Sequence, residues 1–198
     1  MNVWFATNNS HKKRELEAVL NLKLKIPCEE GLNFSPEETG SSFFENALIK
    51  ARELKKLLND KNDPVIADDS GLCVHSLGGR PGINSAYYGD TKDRKLSSSE
   101  KNILLLDELK DNPDRSAYFV CTLILLFDYD RFYSVQETFE GEIVKSPEDA
   151  AGDGGFGYDP VFLLPQSGLT LAQLSEDEKN SISHRGKAGR FIAKILKN

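Results

Sequence analysis

Val65-Ile66-Ala67-Asp68-Asp69-Ser70-Gly71 is the stretch on which the fold turns. Its apolar start reads as a buried strand, and it runs directly into two adjacent carboxylates followed by turn formers. Upstream, Ser42 opens the clearest helix of the chain, with Glu45 three residues on in a capping-box pattern. Phe43, Phe44, Ala47, Ala51, Leu54 and Leu58 recur at helical period and give that helix one buried face, with Lys50 at its margin. Further out, residues 3–6 are a short apolar run. A polar string follows, and then Leu16, Val19 and Leu20 at helical spacing, which reads as strand, turn, helix. Residues 24–27 suggest a second short strand, and residues 35–40 an acidic turn. Downstream, Gly78-Gly79-Arg80-Pro81-Gly82 is a loop and residues 96–109 a helix. Residues 117–127 and 131–144 are rich in β-branched and aromatic side chains. They flank Asp128-Tyr129-Asp130 as an antiparallel pair. A glycine-rich loop at 152–157, a strand at 161–164 and a helix at 184–196 complete the chain. That last helix carries Phe191, Ile192, Ile195 and Leu196 on one face. Strands and helices interleave with hairpin-like neighbours, so the fold class is α/β with a mixed β-sheet and flanking helices.

The composition narrows the function. With 198 residues the chain reads as a single domain spanning 1–198. Lys and Arg number 25 against 31 Asp and Glu, a net charge of −6, which argues against a nucleic-acid coat or an anionic-membrane binder. No run approaches the roughly 20 apolar residues of a membrane span, and the N-terminus lacks a basic segment with a following apolar run. Cys28, Cys73 and Cys121 are scattered, with no CxxC pair. That suits a reducing cytoplasm and supports neither a zinc site nor a disulfide framework.

Three regions carry chemistry. Thr7, Asn8, Asn9, Ser10, His11 and Lys12 lie where a strand enters a helix, so backbone N–H groups, the positive helix end and the Lys12 charge favour a phosphate. An ordinary capped helix start is the plainer reading of that segment alone. Asp68-Asp69 sets like charges side by side, which a cation or hydrogen-bond donors must compensate. Mg²⁺ suits such oxygen ligands, and Glu37-Glu38 offers further carboxylate. An acidic turn that caps its own backbone is the alternative. Gly154-Gly155-Phe156-Gly157-Tyr158-Asp159-Pro160 sets two aromatics and an acid in backbone that can approach a ligand closely, and a planar base can stack on Phe156 or Tyr158. Ser183-His184-Arg185-Gly186 places two donors at a helix entry, suited to a carbonyl acceptor. Lys50 and Lys179 read by default as snorkelling lysines. Residues 152–157 satisfy G-x-G-x-x-G, but they lead into Tyr158-Asp159-Pro160 and a strand rather than a helix, so the dinucleotide reading fails.

Together, Phe5-Ala-Thr-Asn-Asn-Ser-His-Lys12, Glu37-Glu-Thr-Gly-Ser-Ser-Phe-Phe-Glu-Asn-Ala-Leu-Ile-Lys-Ala51, Ala67-Asp-Asp-Ser-Gly-Leu72, Leu77-Gly-Gly-Arg-Pro-Gly82, Gly154-Gly-Phe-Gly-Tyr-Asp-Pro160 and Ile182-Ser-His-Arg-Gly186 closely resemble the inosine triphosphate pyrophosphatase family, the non-standard purine NTP pyrophosphatases. The resemblance implies an elongated mixed sheet with helices, in two lobes around a deep nucleotide-binding cleft, usually as a homodimer. It implies Mg²⁺-dependent hydrolysis of ITP, dITP or XTP to the monophosphate and pyrophosphate, cleansing the nucleotide pool. On the family pattern, Thr7 to Lys12 and Lys50 hold phosphate, Asp69 is the catalytic base, and Ser70 touches substrate. Phe156, Gly157, Tyr158, Asp159, Lys179, His184 and Arg185 hold the nucleotide, largely its base. Glu38 and Asp69 match the metal-linked carboxylates, with Glu37 and Asp68 as neighbours. Two positions depart from the family: Asn8 stands where many relatives have Gly, and Tyr87 where many have Arg. Two rivals remain at this point, a purine nucleotide sensor that does not cleave, and a pyrophosphatase for modified pyrimidine nucleotides.

Overall fold

The computed structural model describes residues 2–197. Strand β1 (Trp4–Phe5) leads into helix α1 (Ser10–Leu20), as the apolar run and the periodicity require. Asn9 caps α1, its side-chain oxygen accepting from the N–H groups of His11 and Lys12. The expected strand at 24–27 shrinks to a single bridge between Trp4 and Lys25. Leu24 and Ile26 are buried there, but no further ladder forms. Helix α2 (Phe43–Leu57) begins at Ser42, whose hydroxyl accepts from Glu45 N–H at 3.2 Å. The expected reciprocal bond is displaced by one residue, because the Glu45 carboxylate accepts from the N–H of Ser41 at 2.6 Å.

Strand β2 (Val65–Val74) is longer than its apolar start suggests. The carboxylate pair therefore lies inside the strand rather than at its end. The strand continues because Leu72, Cys73 and Val74 are themselves buried. Helix α3 (Ser98–Leu109) follows, with the capping box Ser97–Glu100 at its start. Strands β3 (Ser116–Leu126) and β4 (Phe132–Ile143) come next. Their turn closes with Phe127 N–H to Arg131 O at 2.9 Å. Strand β5 (Phe162–Leu164) and strand β6 (Leu169–Thr170) lead to helix α4 (Glu176–Ile182) and helix α5 (His184–Leu196). The six strands form one sheet in the order β1-β2-β3-β4-β5-β6. β1 pairs parallel with β2, whereas β4 with β5 and β5 with β6 are antiparallel, so the sheet is mixed.

The chain divides into two compact units. The first comprises residues 1–70, 121–137 and 183–198, the second residues 71–120 and 138–182. In the first unit, side-chain alternation along the strands sorts the core onto two faces. Phe5, Ile66, Cys121, Leu123 and Leu125 pack with Leu16 and Leu20 of α1 and Ala188 and Ile192 of α5. Trp4, Ala6, Val65, Ala67, Ile124 and Leu126 pack with Ala47, Ala51 and Leu54 of α2. Gly189 lets α5 approach α1, since a Cβ there would lie 2.7 Å from Val19 Cγ1. Phe191, expected on the buried face of α5, is instead 47% exposed; His184, Arg185, Ala188 and Ile192 face inward. In the second unit, Leu72, Val74, Leu105, Leu109, Phe119, Tyr158 and Phe162 belong to one core. There the buried Arg115 guanidinium donates to the carbonyls of Leu109 (2.7 Å), Ile143, Val144 and Lys145. All three cysteines are free thiols. Among the described residues no helix is long and apolar enough to cross a membrane.

Candidate active site

The alternation that sorts the core also separates the two aspartates. Adjacent residues of a strand point to opposite faces, so Asp68 follows Ile66 toward α1 and α5, and Asp69 follows Ala67 toward α2. Each meets a different set of cations.

Asp69 is 6% exposed. Its Oδ1 accepts from Lys50 Nζ at 2.6 Å, and Glu38 Oε2 accepts from the same ammonium at 3.1 Å. Its Oδ2 is buried with no hydrogen-bond partner among the described residues. Burial raises the Asp69 carboxyl to about 6, against the pull of Lys50 and Lys12 and with help from Glu38. Burial alone would lower Lys50; the carboxylates of Asp69 and Glu38 overcome it and hold the ammonium above its ordinary range. The segment carrying Glu38 is fixed to α2 by Gly40 N–H donating to Asn46 Oδ1 at 2.9 Å. A side chain at position 40 would not fit, because its Cβ would fall 2.6 Å from Glu45 Cβ.

Asp68 lies at the centre of a second network. Its Oδ1 accepts from Lys12 Nζ and from Ser70 Oγ at 3.0 Å. Its Oδ2 accepts from Arg185 Nε at 2.9 Å and from Cys121 Sγ at 3.2 Å. Arg185 also donates to Glu15 Oε2 at 2.5 Å and to Ser70 Oγ at 2.8 Å. Burial opposes ionisation of Asp68, yet Arg185 and Lys12 hold its carboxyl well below the ordinary range.

The remaining phosphate-loop residues do local work. Thr7 Oγ1 accepts from Asn9 N–H at 3.1 Å, Asn9 caps α1, and Asn8 Nδ2 donates to Phe34 O at 2.9 Å. Asn8 needs no left-handed backbone: the single positive φ among non-glycine described residues is at Asn21. Ser10 and His11 are exposed at the start of the helix.

The second unit holds Phe156, Gly157, Tyr158, Asp159 and Lys179, whereas His184 belongs to the first. Asp159 Oδ2 accepts from Phe156 N–H at 2.7 Å and from Lys179 Nζ at 2.6 Å, and that ammonium lies 5.0 Å from the centre of the Phe156 ring. Gly155 takes φ +69°, and a Cβ there would overlap Asp159 Oδ2. Gly157 O accepts from Asn102 Nδ2 at 3.1 Å. Tyr158 differs from Phe156: its ring is 7% exposed within the core and its hydroxyl donates to Ser85 O at 2.9 Å. Of the two aromatics expected to stack a base, Tyr158 is built into the core. His184 is buried at the first position of α5. Tyr87 is 54% exposed.

Sequence reasoning missed the residues that hold these groups: Glu15, Asn46, Asn102 and Cys121. It also missed α4, which carries Lys179. A signal for α4 was present in Ser175 and Glu178, whose side chains cap each other's N–H groups at 3.3 and 2.9 Å.

Glu38 and Asp69 fit a magnesium ion. They are two carboxylates drawn to one point by Lys50, and Asp69 offers an open buried oxygen. Mg²⁺ is held by one or two carboxylates, with water and substrate phosphate completing its shell. Among the described residues no group of three or more His, Cys, Asp or Glu side chains is arranged to hold a metal. Asp68 does not fit, because its oxygens already accept four bonds.

A buried carboxylate with an open oxygen, beside Lys50 and Glu38 on a mixed α/β sheet, is suited to work on charged phosphate groups. The model of the Ham1 family matches residues 3–195, and the chain belongs to that family. It is 48% identical to a dITP/XTP pyrophosphatase of Treponema denticola over 198 residues, covering 100% of this chain and 99% of that one. It is 40% identical to a dITP/XTP pyrophosphatase of Clostridium tetani, over 99% of this chain and 96% of the other. Among solved structures it resembles a HAM1 protein from Coxiella burnetii, with TM-score 0.85 and 36% identity over 100% of this chain and 98% of that chain.

Proposed function

We propose that this chain hydrolyses non-standard purine nucleoside triphosphates, ITP, dITP and XTP, to the monophosphate and pyrophosphate, removing deaminated purines from the nucleotide pool. The coarser statement, a nucleoside triphosphate pyrophosphatase and hence a hydrolase, follows from membership of the family and from relatives so named. The observation that carries the hydrolytic step is the buried, unpartnered Oδ2 of Asp69 beside Lys50 and Glu38, and the choice of purines is supported by the names of the relatives.

Asp69 is the base. With its carboxyl raised to about 6, it is ionised at neutral pH yet basic enough to accept a proton from water. The water oxygen bonds to the α-phosphorus, its proton passes to Asp69, and the bridging oxygen leaves on pyrophosphate with the electron pair. Lys12 and Lys50 offset the charge gathering on that leaving group, which is the main requirement of phosphoryl transfer. Glu38 and Asp69 would hold Mg²⁺, which when bound supplies positive charge to the phosphate oxygens. Thr7, Asn8, Asn9, Ser10 and His11 present the positive start of α1 to the phosphates, and Ser70 contacts substrate.

For the base, we assign Phe156 as the stacking ring, with Gly157, Tyr158, Asp159 and Lys179 shaping its loop, and His184 and Arg185 as donors. Donors favour the six-position carbonyl of hypoxanthine and xanthine over the amino group of adenine. A buried donor left unpaired discriminates by about 10⁴. We also infer a homodimer in a reducing cytoplasm, the latter in keeping with three free thiols. Nucleic acid and membrane are not among its partners on this reading.

A panel of nucleoside triphosphates, with pyrophosphate detection and with or without Mg²⁺, tests the function. Metal-dependent pyrophosphate release from dITP, ITP or XTP, with little from ATP, is the expected outcome. Tight nucleotide binding without release would favour the sensor reading, and sedimentation of the pure protein decides the dimer.

A further inference from the structure

Asp68 is buried, charged and unused by the chemistry above. Its side chain has no exposed surface. It accepts from Lys12 of α1, from Ser70 of its own strand, from Cys121 of β3 and from Arg185 of α5. Four donors fill the lone-pair sites of one carboxylate, so Asp68 has no oxygen left for a metal, a water or a substrate. Two of its donors, Lys12 and Arg185, are cations. Glu15 adds a second negative charge on Arg185, so these four side chains carry two charges of each sign.

We propose that Asp68 is a positioning residue for the reaction: it holds Lys12 and Arg185 at fixed places on the strand that carries Asp69. This rests on the function proposed above and deepens it. Without the Asp68 charge, two cations share one buried spot and lose the carboxylate that bridges them. Their mutual repulsion drives the mobile Lys12 away from its place in the phosphate loop. Because Asp68 and Asp69 are consecutive in a strand, fixing a cation to the first fixes its position relative to the second without any contact between the two carboxylates. Cys121 completes the shell with a weak donor.

The test is a double-mutant cycle with Asp68→Asn, Lys12→Gln and the pair, read in two ways. One is kcat and KM for dITP with Mg²⁺; the other is the affinity of the folded proteins for inorganic triphosphate by calorimetry. Misplacing a catalytic group by an ångström costs about 10²-fold, so Asp68→Asn lowers kcat/KM for dITP by about that factor and weakens triphosphate binding. In the Lys12→Gln background the same change has a clearly smaller effect, because the group it positions is gone. Equal effects in both backgrounds mean that Asp68 merely stabilises the fold, and overturn the proposal. So do wild-type kinetics and affinity in Asp68→Asn. If Asp68→Asn does not fold, Asp68→Glu keeps the charge but moves it by one methylene. At least a tenfold fall in kcat/KM that shrinks in the Lys12→Gln background supports positioning, and wild-type behaviour overturns it. If the wild-type protein releases pyrophosphate from no nucleotide, the function is wrong, while the triphosphate affinities still decide whether Asp68 places Lys12.

Discussion

The two units build their candidate residues by opposite means. In the first, charged side chains from distant parts of the chain meet across a sheet: Asp68 and Arg185 are 117 residues apart, Lys50 and Asp69 are 19. In the second, a short loop folds on itself, with Phe156 N–H on Asp159 three residues away and Gly155 held in left-handed backbone, and Lys179 of α4 clamps it from 20 residues on. The first arrangement stabilises charge and is sensitive to the loss of a single oxygen. The second shapes backbone and is sensitive to the addition of a single carbon. Substitutions that respect this distinction should separate chemistry from binding.

The largest effect is expected at Asp69. Asp69→Asn keeps the shape and removes the proposed base, so kcat for dITP should fall about 10³-fold or more. At neutral pH the variant should be no less stable than wild type, because burial disfavours the charge that is lost and Lys50 keeps Glu38 as partner. Steady-state kinetics alongside urea unfolding checks both halves. Near-normal turnover would remove Asp69 as the base.

Asp159→Ala should invert that pattern. It leaves Lys179, 4% exposed, without the carboxylate at 2.6 Å and frees Phe156 N–H. Breaking a buried pair on one side costs about 3–5 kcal/mol. Unfolding should show most of that loss, and KM should rise more than kcat falls. Equal falls in kcat and kcat/KM would place Asp159 in the chemistry instead.

Within the first unit, the two aspartates should give pH dependences of opposite sign when unfolding is followed with a chelator present. Asp68 has a depressed carboxyl, so its contribution is present above its unfolded value near 3.8 and is lost as pH falls through the lower folded value. Asp69 is raised from 3.8 to about 6. Between those values the native state binds the extra proton, so stability falls as pH rises through that window. The advantage of wild type over Asp68→Asn should therefore close in acid. The Asp69→Asn variant should lack the wild-type decline between about 4 and 6. A parallel pH course for both variants would contradict the separation of the two faces.

In the second unit, Gly155→Ala and Gly157→Ala form a graded pair. Both glycines have positive φ, which costs an alanine about 1–2 kcal/mol. At Gly157 nothing stands within 4 Å of the added carbon, whereas at Gly155 it overlaps Asp159 Oδ2. Gly155→Ala should therefore raise KM for dITP well beyond Gly157→Ala, with kcat nearly unchanged in both. Equal KM values would mean that the Asp159 contact does not shape the loop.

The same contrast explains what the sequence reveals. Periodicity and caps are local, so α1, α2, α3 and α5 are legible, as is the β3–β4 hairpin around Asp128-Tyr129-Asp130. The extent of β2 is not, because Asp68-Asp69-Ser70 is poor strand material and is held there by partners elsewhere in the chain. Once β2 is known to run through Val74, the opposite facing of Asp68 and Asp69 follows from alternation alone. Their partners do not: Cys121 is an apolar residue in an apolar strand, and its contact with Asp68 spans 53 positions. Tyr158 is ambiguous for the converse reason, since an aromatic beside glycines looks the same whether it faces a ligand or the core.

The smallest expected effect tests how far the phosphate loop depends on its local frame. Asn9 Oδ1 accepts from the N–H groups of His11 and Lys12, at 2.9 and 3.2 Å. Replacing such a cap by alanine costs about 1 kcal/mol, and Asn9→Ala should lose about that in urea unfolding. If α1 depended on its cap alone, its first turn would fray and Lys12 would leave its place. But Lys12 is also anchored to Asp68 on the sheet face that α1 covers, and Leu16 and Leu20 keep α1 packed in the core. So kcat/KM for dITP should fall less than about threefold, the fray being confined to residues before Lys12. A fall as large as that of Asp68→Asn would show that the helix start, rather than the ion pair, sets the Lys12 position.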